Sequence, residues 1–321
     1  MGAALALAER GRGLAAPNPA VGCVIVRAGR VVGRGWTQPG GRPHAEAMAL
    51  AQAGDAARGA TAYATLEPCA HVSHRGPACS DLLIDAGIAR VVTALTDPDP
   101  RTAGGGHARL ATRLSLATGV RADDARRSLA GFLIGQALGR PQVSLKLATS
   151  LDGCIALPSG ESKWITGPQA RAHGHLERAR HEAILVGRAT HDADAPRLDV
   201  RLPGLEHRSP RRLMLTRMPV PDGWEAVRGP AAIRDLAGVD HLLVEGGAQT
   251  AAAFLREDLV DRLLLYRAPI LLGGRPGIGD LGLHAIDAAH GRWRIVDRRT
   301  LGSDLLDVYE RVREAACSPE S

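Results

Sequence analysis

Apolar residues along this chain fall in short runs, and the runs alternate with stretches of helical period. Val21–Val32 (VGCVIVRAGRVV) reads as a buried strand, an Ala-Gly-Arg turn and a second strand. His44–Gln52 (HAEAMALAQ) has helical spacing and stops in the Gly54 region. Thr61–Leu66 predicts a strand, Ser80–Ala86 a short amphipathic helix closed by Gly87, and Ile88–Leu95 another strand. Asp97–Gly106 (DPDPRTAGGG) is a Pro/Gly loop, and a helical patch covers Ala122–Leu138. That patch ends at Gly139-Arg140-Pro141, the best domain boundary on offer.

Past the boundary, strands are expected at Gln142–Thr149, Glu182–Val186, Arg212–Thr216, His241–Val244 and Arg262–Ile270. A His- and Arg-rich helix precedes the second of these, and Gln249–Leu255 follows the fourth as a helix. Alternating strands and helices in both halves point to the α/β class. No repeat relates the halves, so two different domains are expected, residues 1–140 and 141–321. The tail from Ala315, with Cys317, is expected to be disordered.

Composition narrows this picture. No apolar run approaches the roughly 18–20 residues of a membrane helix. Met1–Arg12 is amphipathic and carries its charge at the end, so no signal peptide is expected and a cytoplasmic location is. Five cysteines spread over the chain suit thiols or metal ligands better than a disulfide framework. The net charge of +6 comes almost wholly from arginine, since Lys146 and Lys163 are the only lysines. Such an excess allows nucleic acid, phosphorylated small molecules or no special partner. No aromatic-rich basic stretch is present for stacking bases, which argues against nucleic acid.

The sharpest chemical signal is His44-Ala45-Glu46, then Pro68-Cys69, then Cys79. One imidazole and two thiolates suit zinc, and three protein ligands leave the fourth position for water, as in a catalytic site. Glu46, two residues from a ligand, can face that water and carry its proton to a leaving amine. Zinc deaminases carry H-x-E…P-C-x-x-C; this chain keeps the first part and spaces its cysteines C-x9-C. His71 and His74 lie between the cysteines as competing ligands or loop residues. Two other readings compete. One is a nucleotide or nucleic-acid deaminase with an unrelated C-terminal domain; the other is a structural zinc site, in which Glu46 would have no task.

The motifs APNPAVGCVIV (Ala16–Val26), RPHAEAMAL (Arg42–Leu50), ATLEPCAH (Ala64–His71), GIARVV (Gly87–Val92) and DPDP…GGG (Asp97–Gly106) are in sequence order. With them the first half resembles the deaminase half of the bifunctional riboflavin-biosynthesis deaminase/reductase family. KLATSLDG (Lys146–Gly153), SGESKWITG (Ser159–Gly167) and VEGG (Val244–Gly247) are similar to its reductase half. The resemblance implies a cytidine-deaminase-like α/β/α sandwich followed by a dihydrofolate-reductase-like α/β domain. It also implies two reactions: loss of the 2-amino group from a diaminopyrimidinone bearing a ribosylamino 5′-phosphate, then reduction of the ribosyl group to ribityl by NADPH.

The resemblance places the zinc ligands at His44, Cys69 and Cys79 and the proton shuttle at Glu46. Asn18 matches an asparagine that contacts the pyrimidine, although between two prolines it also suits a turn. His71 matches a substrate-facing histidine. The segment CAHVSHRGPAC is one residue longer than the family's, and Arg75 replaces the basic residue that holds phosphate. In the second half Lys146 matches the catalytic lysine beside the sugar. Substrate contacts fall on Ser162, Arg178, Leu198, Arg201 and Glu245. Cofactor contacts fall on Ala148, Trp164, Thr190, Asp194, Thr216, Gly246 and Gly247. Trp164 equally suits a core anchor and Lys163 the surface. The family's A-D-D-P-x-L-T-x-R appears as DADAPRLDVR, with Ala195 and Asp199 as departures. Arg211, Arg212 and Arg217 near Thr216 could meet a 2′-phosphate or simply be surface charge. No G-x-G-x-x-G follows a strand, so a Rossmann domain is not expected. The partner expected is a phosphorylated small molecule, with neither nucleic acid nor membrane; family members are often oligomers, and the sequence leaves open whether this chain forms a homo-oligomer.

Overall fold

The computed structural model describes residues 1–71, 76–100 and 102–313, so His74, Arg75 and the tail with Cys317 lie outside the described residues. The chain divides into one unit of Met1–Arg140 with Gly238–Asp240 and a second of Pro141–Ala237 with His241–Ser321.

The first unit contains α1 (Gly2–Gly11), β1 (Gly22–Arg27), β2 (Arg30–Trp36), α2 (Ala45–Ala53), β3 (Thr61–Ala64), α3 (Cys79–Asp85) and β4 (Arg90–Thr93). It continues with α4 (Gly105–Ala111), β5 (Ser115–Ala117), α5 (Ala122–Ser128) and α6 (Ala130–Leu138). Its sheet runs β2-β1-β3-β4-β5, antiparallel around β1 and parallel from β3 to β5. Cys23 pairs with Gly35 and Ile25 with Gly33, so these four share one face. Helix α2 lies against that face: a Cβ on Gly35 or Gly33 would stand 2.0 or 2.2 Å from the Ala45 or Ala49 carbonyl. Gly22 faces the other way, and a Cβ there would stand 1.9 Å from the Ala4 carbonyl of α1. Helices therefore cover both faces, making the α/β/α sandwich. Its core includes Leu5, Ile25, Leu83, Val91 and Leu110, each contributing roughly 1.5–3 kcal/mol by burial.

The expected helical patch at Ala122–Leu138 is two helices. Leu129 leaves helical geometry (φ −97°, ψ 12°) while its side chain is buried, so core packing turns the chain where no Gly or Pro announces it. Strand β4 is shorter than its apolar run because only its centre finds ladder partners.

The second unit holds β6 (Gln142–Thr149), β7 (Cys154–Ala156), α7 (Pro168–Arg178), β8 (Ala183–Gly187), α8 (Arg188–Asp194), β9 (Arg211–Leu215) and β10 (Glu225–Val227). Then come β11 (His241–Glu245), α9 (Ala248–Arg256), β12 (Arg262–Arg267), β13 (Arg275–Pro276), β14 (Trp293–Leu301) and β15 (Asp304–Arg311). The main sheet has the order β10-β9-β8-β11-β6-β12-β15-β14, parallel as far as β12 and antiparallel across the last two pairings. In this register Lys146 lies opposite both Glu245 and Leu264, and Ala148 opposite Tyr266. These side chains share a face near the carboxyl ends of parallel strands, where α/β sheets bind ligands. No helix among the described residues is long and apolar enough to cross a membrane.

Candidate active sites

In the first unit, two helix starts carry candidate metal-ligand residues. His44 is the residue before α2, and Cys79 is the first residue of α3. Cys69 stands in the loop after β3 and accepts the Cys79 backbone N–H at 3.4 Å. His44 Nδ1 lies 3.3 Å from Cys79 Sγ and 3.7 Å from Cys69 Sγ. Tetrahedral zinc, with bonds of about 2.3 Å to sulfur and 2.0 Å to nitrogen, sets ligand atoms roughly 3.5–3.8 Å apart. The three residues thus fit a zinc ion. The two thiols share a proton: their mutual hydrogen bond, with His44 assisting, holds the Cys69 thiol down to about 4 and pushes the Cys79 thiol up, so the pair favours one thiolate.

Glu46, in the first turn of α2, is buried at 3% exposure beside this cluster. Burial raises its carboxyl above the usual range, opposed by the His44 charge. It lines a cavity of about 260 Å³ together with Asn18, His44, Cys69, His71 and Phe132. Asn18 Nδ2 donates to the Gly41 carbonyl at 2.8 Å and lies 2.9 Å from His44 Nε2. His71 Nδ1 is buried with no hydrogen-bond partner among the described residues.

Sequence reasoning did not single out the far wall. The Glu67 carboxylate accepts the backbone N–H groups of Asp97 (3.1 Å), Gly104 (3.1 Å) and His107 (2.9 Å). Asp97 in turn accepts the Asp99 N–H and the Thr102 hydroxyl. One buried carboxylate so shapes the Asp97–Gly106 loop against the cavity. The motif Thr-Leu-Glu-Pro-Cys carried that residue in plain view, but its partners lie 30 to 40 residues away.

The second unit holds a larger cavity, about 670 Å³. Lys146, Ala148, Ser162, Trp164, Arg178 and Glu245 line it. So do Thr190, Asp194, Arg201, Gly246 and Gly247. Leu198 instead sits in the apolar core with Ile184 and Leu264. Thr216 is also not on the cavity wall; its hydroxyl accepts the Met218 N–H at 3.1 Å. Arg211 is held on both sides by the Glu225 carboxylate.

Glu245 is the hub of the second cavity. Arg178 donates to both its oxygens at 2.8 and 2.9 Å, and Lys146 Nζ lies 3.6 Å away. Burial would raise the Glu245 carboxyl, but Lys146 and Arg178 hold it down to about 2. The Gly246-Gly247 turn is demanded by packing, because a Cβ on Gly246 would stand 2.8 Å from Thr250 Cβ. Thr190 accepts the Gly247 N–H at 3.1 Å, just ahead of α9. Trp164 is 67% exposed with Arg171 stacked 4.9 Å from its centroid, so it lies at the rim and is no core anchor. Lys163 pairs with Asp194 at 3.1 Å.

The sequence reading missed His175 and Tyr266, which also line this cavity. His175 lies one turn before Arg178 on α7, a helical spacing that could have revealed it. Its Nδ1 is 3.1 Å from the Asp199 carbonyl, and Arg201 approaches its Nε2. The buried Tyr266 hydroxyl is 2.7 Å from His173 Nδ1.

Comparison with known proteins adds to this geometry. Residues 1–95 match the cytidine and deoxycytidylate deaminase zinc-binding region. Residues 141–306 match the RibD C-terminal domain. The chain belongs to the RibD family. The RibD protein of Escherichia coli K12 is 40% identical over 85% of this chain and 88% of its own. That of Aquifex aeolicus is 35% identical, with 96% of each chain covered. Among solved structures, Acinetobacter baumannii RibD superposes with a TM-score of 0.84 at 34% identity, covering 97% and 98% of the two chains. The deaminase/reductase of Thermotoga maritima reaches 0.88 at 30% identity, with 97% of each covered. The protein is thus a bifunctional deaminase/reductase of riboflavin biosynthesis, with a zinc-binding deaminase domain and a RibD reductase domain. A RibD C-terminal domain also overturns the alternative of a deaminase joined to an unrelated second half.

Proposed function

We propose that residues 1–140 deaminate 2,5-diamino-6-ribosylamino-4(3H)-pyrimidinone 5′-phosphate at its 2-amino group. Residues 141–321 then reduce the ribosyl group to ribityl with NADPH. The observation that supports this best is the His44, Cys69 and Cys79 cluster with Glu46 buried beside it in one cavity. His44, Cys69 and Cys79 would hold zinc, whose Lewis acidity would make water a nucleophile near neutral pH. Glu46 takes the proton from that water and delivers it to the departing amine; its raised carboxyl pKa suits both halves of the transfer. Asn18 and His71 face the pyrimidine and orient it.

The second cavity would hold NADPH, which would supply the hydride that reduces C1′ of the opened sugar. Lys146 lies beside the sugar and gives a proton to the ring oxygen as it opens. Glu245 fixes the Lys146 ammonium through their 3.6 Å ion pair and is itself clamped by Arg178. Ser162 and Arg201 hold the substrate. Ala148, Trp164, Thr190, Asp194 and the Gly246-Gly247 turn receive the cofactor, where backbone N–H groups at the start of α9 suit a pyrophosphate. The reading needs a small phosphorylated substrate in the cytoplasm and neither nucleic acid nor membrane.

A coupled assay tests it, following ammonia release and NADPH absorbance together on the aminated substrate. Wild-type protein should oxidise NADPH only after ammonia appears. Glu46→Gln should stop both signals, yet still oxidise NADPH when given the deaminated intermediate. Ammonia release at the wild-type rate from Glu46→Gln would remove the proton shuttle from the mechanism.

A further inference from the structure

We propose that Arg42 is the anion-binding residue of the first cavity and holds the phosphate of the deaminase substrate. The inference rests on the deamination reading above and names the residue that recognises the charged end of its substrate. Three observations carry it. Arg42 lines the cavity, and among the described lining residues it is the one Lys or Arg. The wall's acidic side chains are Glu46, Glu67, Asp97 and Asp99.

Second, Arg42 is half-buried and makes no hydrogen bond or ion pair with any described residue. That sets it apart from many arginines of this chain. Arg109 is engaged by Asp81, Arg121 by Asp124, Arg178 by Glu245 and Arg267 by Asp307. A guanidinium in a partly dry site needs an anion, since desolvation without a partner is costly.

Third, Gly76 packs against the guanidinium: a Cβ there would stand 3.0 Å from Arg42 Nη1.

The charges decide where a phosphate can go. Glu67 is compensated by its three backbone N–H donors, and Asp97 by the Asp99 N–H and the Thr102 hydroxyl. Both still repel an anion brought close, because their donors are neutral groups. A dianionic phosphate is therefore driven from the Asp97–Asp99 side toward Arg42, which can grip two of its oxygens at once. The carboxylates and the cation orient the substrate as a pair: donors on the pyrimidine face the acids and the phosphate faces the arginine. The resemblance assigned this task to Arg75, which lies outside the described residues; Arg42 is a different residue, two positions before His44.

Arg42→Gln tests the proposal through ammonia release from the phosphorylated pyrimidine and from its dephosphorylated counterpart. Losing one charge-assisted contact should raise KM for the phosphorylated substrate roughly 10- to 100-fold. The kcat and zinc content should be nearly unchanged, as should KM for the dephosphorylated compound. Arg42→Lys should recover part of the loss. Inorganic phosphate should inhibit wild-type deamination competitively and Arg42→Gln much less. A wild-type KM ratio between the two substrates in Arg42→Gln overturns the proposal, and so does a phosphate-selective loss found in Arg75→Ala instead. Failure of wild-type protein to release ammonia from either compound would strike at the deamination reading, a separate result.

Discussion

The two cavities of this protein are built on opposite plans. In the first, the metal-ligand residues and Glu46 come from two helix starts and one loop, with ligand atoms within 4.8 Å of one another. In the second, the wall draws on residues from Lys146 to Gly279, and its centre is an ion-pair hub rather than a metal cluster. Zinc imposes bond lengths, so its ligands need short, fixed local geometry. The dinucleotide and sugar phosphate proposed for the second cavity are large ligands that many weak contacts would hold, and such contacts can come from anywhere on the sheet's carboxyl edge. The compact plan is sensitive to the loss of one atom, and the dispersed plan degrades residue by residue.

The largest expected effect breaks the two plans apart. Removing metal with a chelator should abolish ammonia release, by at least about 1,000-fold given what a Lewis acid contributes, while NADPH oxidation on the deaminated intermediate persists. Lys146→Ala should do the reverse, cutting reduction by roughly 100-fold or more, on the order of a lost general acid. Equal loss of both activities in either case would mean that the cavities are not chemically independent.

Next in size is a packing test on the first unit. Gly35→Ala places a methyl 2.0 Å from the Ala45 carbonyl, directly under the helix that carries Glu46. It should cost on the order of 3 kcal/mol or more by overpacking, read from urea unfolding, with zinc content falling alongside. Gly29→Ala is the contrast: nothing lies within 4 Å of that position, although its φ of +75° adds modest strain.

The smallest effect sharpens the view of the second cavity as an electrostatic hub. Glu245 is held down to about 2 from an ordinary 4.5, with Lys146 and Arg178 overcoming the effect of burial. Its ionised form therefore stabilises the fold fully above about pH 4.5, and that contribution is lost as pH falls toward 2. Glu245→Gln should be less stable than wild type at pH 7, and the gap should narrow across that window in denaturant unfolding. A gap that stays constant with pH would mean the carboxylate contributes shape and no charge. His175 is lowered too, by burial and by the Arg178 and Arg201 charges, which favours its neutral form in the cavity.

How much of this was legible in the chain differs between the same two regions. His44, Glu46, Cys69 and Cys79 could be read as candidates because H-x-E and P-C are side-chain motifs of zinc deaminases, although 25 and 35 residues separate His44 from the two cysteines. Glu67 could not be read as the organiser of the Asp97–Gly106 loop, because its partners are backbone N–H groups, which have no side-chain signature. Arg42 was equally hidden among arginines that composition makes common; only its place on a cavity wall distinguishes it. In the second unit Lys146 and Glu245 stood in recognisable motifs, yet their pairing depends on the register of β6 and β11. His175 and Tyr266 reached the cavity through α7 and β12, with no motif of their own.

The hairpin β14–β15 was not foreseen either. Strand β14 is largely exposed and rich in arginine, so it lacks the alternation that announces a half-buried strand. It lies at the sheet edge, where charge blunts further pairing.

The sequence by itself determined the α/β class, the two-part organisation and the family resemblance, and it offered the candidate metal-ligand set, because each rests on periodicity or on recognisable side-chain motifs. Only the tertiary structure decided which face of each sheet a helix covers, which carboxylates face cations and which face backbone amides, and which arginine lines the first cavity. Those outcomes depend on side chains far apart in the chain meeting at a few ångströms, and no local pattern encodes such a meeting.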